Sequence, residues 1–216
     1  MIVLNLKTYK ESFEKADVLA KAAKDVSDET GVRIILCPPN LLLRNCKDSY
    51  HDIFSQHCDE NDFGAYTGSL PFSALKLMKI KGSLINHSEK RIPIGIVENI
   101  ITKLKENKLE SIVCAENPME VEKISHFNPD YIAVEPKELI GSGVSVSNAK
   151  PEVITDSLKV LEKTKNNVSL LCGAGVSNRE DAKKALELGA TGILLASAYV
   201  RAADHRKFLE ELASVF

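Results

Sequence analysis

Apolar residues in this chain gather into short continuous runs, each followed by a longer stretch in which apolar positions recur every three or four residues. The runs occupy 2–4, 32–36, 53–55, 83–85, 111–113, 131–134, 168–171 and 193–195, eight in all. Continuous rather than alternating apolar runs are what parallel strands need when both of their faces are covered. The stretches between them read as amphipathic helices. Ala16, Leu19, Ala20 and Ala23 keep the i, i+3, i+4, i+7 spacing, and so do Val97, Ile100, Ile101 and Leu104. Pro151 suits a first helical turn, after which Ile154, Leu158 and Leu161 share a face. Ser177-Asn178-Arg179-Glu180 reads as a capping box, in which hydroxyl and carboxylate each satisfy an orphan backbone donor. Its helix would turn Ala182, Ala185 and Leu186 inward and stop at Gly189. A short helix is expected over 41–47, after Pro38-Pro39.

Eight strands alternating with helices leave two α/β architectures, a closed (β/α)8 barrel or an open doubly wound sheet. No G-x-G-x-x-G follows the first strand, which argues against a dinucleotide-binding sheet. The 216 residues are short for such a barrel, which typically takes about 250, yet long enough for one compact domain spanning 1–216. The net charge of −2 offers no general attraction to nucleic acid or anionic membrane, so any grip on an anion must be local. The apolar start at Met1-Ile2-Val3-Leu4 is too short for a signal peptide, and no apolar run approaches a membrane span. Cys37, Cys46, Cys58, Cys114 and Cys172 are odd in number and form no C-x-x-C pair. Several sit within apolar runs, as small core residues do, so a reduced, cytoplasmic setting is expected and no metal site.

In a parallel barrel the residues just past the C-terminal ends of the strands converge on one mouth. Here they are Asn5, Lys7, His87, Glu135, Gly173-Ala174-Gly175 and Ala196-Ser197. A base, a cation, an imidazole and two small-residue loops suit proton abstraction beside a carbonyl on a phosphorylated substrate. Glu135 follows four apolar residues, where poor solvation favours basicity; the ordinary alternative is a salt-bridged strand-end carboxylate. The following 136–143 segment, rigid at its start and glycine-rich at its end, reads as a lid that would exclude water. If Ser88 caps a short helix, His87 lies at its positive end and acts as a neutral hydrogen-bond donor; a plain helix-start histidine is the alternative. Lys7 would stabilise charge on the substrate oxygen, and Asn5 would donate to the same oxygen or serve its own backbone. The glycine turn at 173–175 and Ala196-Ser197 would hold the phosphate, unless they are tight turns chosen for packing.

Asn5-Leu6-Lys7, Asn86-His87-Ser88-Glu89-Lys90-Arg91, and Glu135-Pro136 with Ile140-Gly141-Ser142-Gly143 resemble the triosephosphate isomerase family, in its compact archaeal branch, along the whole chain. The resemblance implies a TIM barrel without metal or organic cofactor. It implies interconversion of dihydroxyacetone phosphate and glyceraldehyde 3-phosphate through an enediol(ate). By position it makes Glu135 the base, His87 the electrophile and Lys7 the electrostatic stabiliser. Asn5 and Lys7 would contact substrate, with Ile140, Gly175, Ala196 and Ser197 around its phosphate and Glu89 as a supporting acid. Gly64-Ala65-Tyr66-Thr67-Gly68 resembles a loop that inserts into a neighbouring subunit, which implies a homodimer or homotetramer. Departures from the family pattern are Leu6 for the usual Trp, Asn86 for Gly, Lys90 for Arg and Ser142 for Thr. A thiamine-phosphate-synthase-like barrel would share the glycine turn without needing Lys7, His87 and Glu135 together, and a non-catalytic phosphate-binding barrel would bind without turnover.

Overall fold

The computed structural model describes residues 1–136, 139, 145–164 and 166–216. The chain runs β1 (Ile2–Asn5), α1 (Lys10–Glu14), α2 (Ala16–Thr30), β2 (Ile34–Cys37), α3 (Leu43–Ser49) and β3 (Phe54–Ser55). It continues α4 (Phe72–Leu77), β4 (Gly82–Ile85), α5 (Ile94–Glu106), β5 (Glu110–Ala115), α6 (Pro118–Ser125) and β6 (Tyr131–Val134). After α7 (Val146–Ala149) and α8 (Pro151–Thr164) come β7 (Ser169–Cys172), α9 (Arg179–Glu187), β8 (Gly192–Leu195), α10 (Ser197–Val200) and α11 (His205–Ala213). Single 3-10 turns occupy Asn40–Leu42 and Ser88–Lys90.

All eight strands are parallel and ordered β2-β1-β8-β7-β6-β5-β4-β3. The ring closes where Leu36 bridges Ile53 and its N–H donates to the Asp52 carbonyl at 3.0 Å. The chain is therefore a (β/α)8 barrel. Each apolar run lies within two residues of an observed strand.

Side-chain parity splits the core into two layers. Val3, Ile35, Phe54, Leu84, Ile112, Ala133, Leu171 and Leu194 fill the barrel, while their neighbours in sequence pack outward against the helices. The free thiols are all buried: Cys37 and Cys114 inside the barrel, Cys46, Cys58 and Cys172 in the outer layer. Burial pushes the Cys46 thiol up to about 11 and those of Cys58 and Cys172 to about 12, so they behave as core residues rather than nucleophiles.

Two local expectations change. The segment after Pro39 is a 3-10 turn before it becomes α3. In α8, as expected, Leu158 packs half-buried against the same core as Ile154 and Leu161, with Ser157 buried beside them and its hydroxyl donating to the Val153 carbonyl at 2.7 Å. The cap of α9 is Asn178, not Ser177, and the acid is Asp181, not Glu180. Asn178 Oδ1 accepts from Asp181 N at 2.9 Å, and Asp181 Oδ2 accepts the Ser177 N–H at 3.0 Å. Asp181 is buried and points back along the chain, whereas Glu180 faces solvent. The helix ends as expected at Gly189, with φ 102°.

Candidate active site

Inward parity holds to the end of β1 and continues one residue past β4, β6, β7 and β8. Val3 leads to Asn5, Leu84 to Asn86, Ala133 to Glu135, Leu171 to Gly173 and Leu194 to Ala196. Lys7, His87, Glu135, Ala174, Gly175, Ser177, Ala196 and Ser197 consequently line one cavity of about 530 Å³ at the C-terminal mouth. Asn5 lies in an adjoining groove of about 950 Å³ that shares Lys7 and His87 and runs past Phe13, Leu41, Gln56 and His57. Ile140, and the 136–143 segment apart from Pro136 and Leu139, lie outside the described residues.

Glu135 is only 4% exposed, and its N–H donates to the Ala115 carbonyl at 2.7 Å. Its Oε2 is fully buried and accepts no hydrogen bond among the described residues. Its lone pairs are therefore not engaged by any described protein donor. The chain of the side chain lies across Gly173. The β6–β7 register pairs Val134 with Cys172, so the next residues, Glu135 and Gly173, stand side by side facing inward. A Cβ at Gly173 would meet Glu135 Cγ at 2.3 Å and Oε1 at 2.9 Å. The Cys114 thiol is raised well above its usual range by burial, and the Glu135 charge beside it pushes the same way.

His87, 6% exposed, sits 3.8 Å from Glu135 Oε2 through Nε2. The residue capping the 3-10 turn is His87 itself rather than Ser88: Nδ1 accepts the Glu89 N–H at 3.2 Å. A single turn supplies little macrodipole, so the direct hydrogen bond is what orients the ring. With Nδ1 an acceptor, the neutral tautomer carries its proton on Nε2, the nitrogen facing Glu135.

Lys7 adopts a left-handed backbone, φ 46°. Its N–H donates to Asn5 Oδ1 at 3.0 Å, so the Asn5 oxygen serves the backbone. Gln56 Nε2 donates to the Lys7 carbonyl at 3.0 Å and to the Cys37 carbonyl at 2.9 Å, which fastens the turn to β2. Lys7 Nζ pairs with Glu89 Oε1 at 2.8 Å. Gln56 stands one residue past β3, where the strand-end rule points, and sequence reasoning missed it, as it missed Asp181. Asp181 accepts Ser177 on Oδ2 and Asn148 Nδ2 on Oδ1 at 2.7 Å, joining α7 to the turn that walls the cavity.

No group of His, Cys, Asp or Glu among the described residues is arranged to hold a metal ion, and none of their helices is long and apolar enough to cross a membrane. A proton acceptor, a neutral imidazole and an ammonium therefore meet at one end of a cavity whose other wall is the turn at Ala174 and Gly175 with Ala196 and Ser197.

A family model described as triosephosphate isomerase matches residues 1–212. The triosephosphate isomerase of Methanothermus fervidus is 46% identical over 214 residues, covering 98% of this chain and 96% of that protein. The triosephosphate isomerase of Methanothermobacter thermautotrophicus is 43% identical over 216 residues, covering 99% and 94%. That of Methanocaldococcus jannaschii is 42% identical over 214 residues, covering 98% of each. The chain belongs to the triosephosphate isomerase family.

Proposed function

We propose that this chain interconverts dihydroxyacetone phosphate and D-glyceraldehyde 3-phosphate by proton transfer through an enediol(ate). The observation that carries the reading is the unpartnered Glu135 Oε2 lying 3.8 Å from His87 Nε2 on the wall of a cavity shared with Lys7. Glu135 takes the proton from the carbon beside the carbonyl, and the C–H electrons become the new double bond as charge moves onto the carbonyl oxygen. His87 Nε2–H and the Lys7 ammonium stabilise that oxygen. His87 Nε2 gives its proton to that oxygen and regains one from the neighbouring hydroxyl, and as that hydroxyl oxygen becomes the new carbonyl, return of the Glu135 proton to the former carbonyl carbon gives the other triose. The transfer is internal and redox-neutral, so the chemistry calls for no cofactor. Asn5 and Lys7 bind substrate, while Gly175, Ala196, Ser197 and Ile140 hold its phosphate. A coupled triose phosphate assay with and without chelator tests this. Glu135→Gln is expected to remain folded and to lose about 10²–10⁴-fold in rate; undiminished turnover in that variant sinks the assignment.

The protein works as a self-associated homodimer or homotetramer in the cytoplasm. Supporting this, Phe63 and Tyr66 are 63% and 51% exposed on the loop around Gly64-Ala65-Tyr66-Thr67-Gly68. The groove along Asn5, Phe13, Leu41 and His57 offers apolar surface that such a loop of a second copy would cover. Five buried thiols suit a reducing compartment. Sedimentation should give a mass of at least two chains, reduced by Tyr66→Asp; a parent that sediments as a monomer counts against the assembly.

A further inference from the structure

We propose that Asn86 is a positioning residue: its side-chain amide ties the end of β4 to β5 and thereby sets the span between the His87 imidazole and the Glu135 carboxylate. The proposal rests on the isomerase reading for the work those two groups do.

Asn86 is the first residue past β4 and is 2% exposed, with φ 59°. Both ends of its amide are engaged. Nδ2 donates to the Cys114 carbonyl of β5 at 3.0 Å, and Oδ1 accepts the Ile92 N–H at 3.2 Å. The second bond closes the base of the loop that carries His87 and its 3-10 turn. Asn86's own carbonyl accepts Arg91 Nη1 at 3.2 Å, and the same nitrogen reaches the Cys114 carbonyl at 3.5 Å. The next peptide of β5 holds the other reacting group, because Glu135 N–H donates to the Ala115 carbonyl at 2.7 Å. His87 and Glu135 thus hang from consecutive carbonyls of one strand, His87 through the side chain of the residue before it.

Few residue types meet these demands together. A left-handed backbone is open to glycine and, at small cost, to asparagine. Glycine supplies no donor for Cys114 and no acceptor for Ile92. Aspartate keeps the Ile92 acceptor and sets a carboxylate oxygen against the Cys114 carbonyl. A merely structural asparagine would support the loop without governing His87, and the two roles separate by measurement.

The test compares the parent with Asn86→Gly and Asn86→Asp, using His87→Gln to identify the His87 resonance. Steady-state triose phosphate kinetics are read beside thermal melting and nitrogen NMR of ring-labelled histidine. Asn86→Gly tolerates the backbone angle and should stay folded, with kcat down about tenfold or more, KM within about twofold, and altered His87 ring signals. Asn86→Asp should lose at least as much. Inhibition by inorganic phosphate should be unchanged in Asn86→Gly, because the phosphate turns are untouched. Parental kcat and parental His87 signals in Asn86→Gly overturn the proposal, whatever its melting temperature. An inactive parent, or a His87→Gln variant as fast as the parent, defeats the isomerase reading instead; the ring signals of Asn86→Gly still decide the positioning role.

Discussion

Lys7, Asn86 and Ala174 have left-handed backbones, at φ 46°, 59° and 63°, and each stands one or two residues past the end of a strand. Such conformations cost about 1–3 kcal/mol each outside glycine, toward the low end for asparagine, and persist where surrounding bonds over-determine them. Asn5 and Gln56 do this for Lys7, and Cys114 and Ile92 for Asn86. Gly173 is the opposite case: its φ is ordinary, and the reason for a glycine is space. Gly173→Ala therefore leaves the backbone at ease and displaces Glu135 alone. We expect kcat to fall by about ten- to a hundredfold with the fold retained. Adding Gly173→Ala to Glu135→Ala, where no Cγ remains to clash, should leave the melting temperature unchanged. Equal destabilisation in both backgrounds would mean the glycine serves something other than the carboxylate.

Among the elements, the helices follow from amphipathic spacing, but their ends do not. Ser177 with Glu180 and Asn178 with Asp181 both satisfy the capping pattern, and only the packed structure chooses between them. The choice falls on Asp181 because it also receives Asn148 from α7, a partner 33 residues away. Asp181→Ala takes the acceptor away from the exposed Asn148 amide and from the half-buried Ser177 N–H, which water can partly replace, at about 0.5–1.5 kcal/mol each. A melting point lower by about 5 °C or more is expected, with a raised KM because Ser177 lines the cavity. Glu180→Ala, the substitution that matters on the sequence reading, should change neither. A variant pair with these effects exchanged would restore the original capping box.

The whole molecule separates chemistry from closure. At the N-terminal end of the barrel Arg33 holds Asp52 at 2.7 Å, Glu110 at 2.8 Å and the Tyr131 hydroxyl at 2.9 Å, binding the starts of four strands. The opposite mouth carries the candidate reacting groups. On the wall of the groove, His57 lies buried with Nε2 3.2 Å from Asp59 Oδ1. Burial, helped by the Lys90 charge, lowers its pKa below the ordinary 6.5, outweighing the raising effect of Asp59. The folded chain refuses a proton that the unfolded chain accepts, so stability drops as pH falls below about 6.5 toward the lowered value. The melting temperature should thus decline between neutral pH and pH of about 5.5, and His57→Gln should flatten that decline. An identical slope in the variant would assign the acid sensitivity to other groups.

Strand number, the inner and outer faces of the helices, the class of the fold and the cluster of Lys7, His87 and Glu135 at strand ends were all legible in the sequence. Each rests on local periodicity or on position relative to a strand, and hydrophobic pattern encodes both directly. The supports of the site were not legible. Gln56 on the Lys7 carbonyl, Asn86 on the Cys114 carbonyl, Gly173 beneath Glu135 and Asp181 between Asn148 and Ser177 join residues remote in sequence. Those meetings depend on strand register around a closed ring and on left-handed turns at its mouth, and no local pattern carries that information. Tertiary structure alone therefore decided which backbone groups brace the candidate side chains and how far apart those side chains stand.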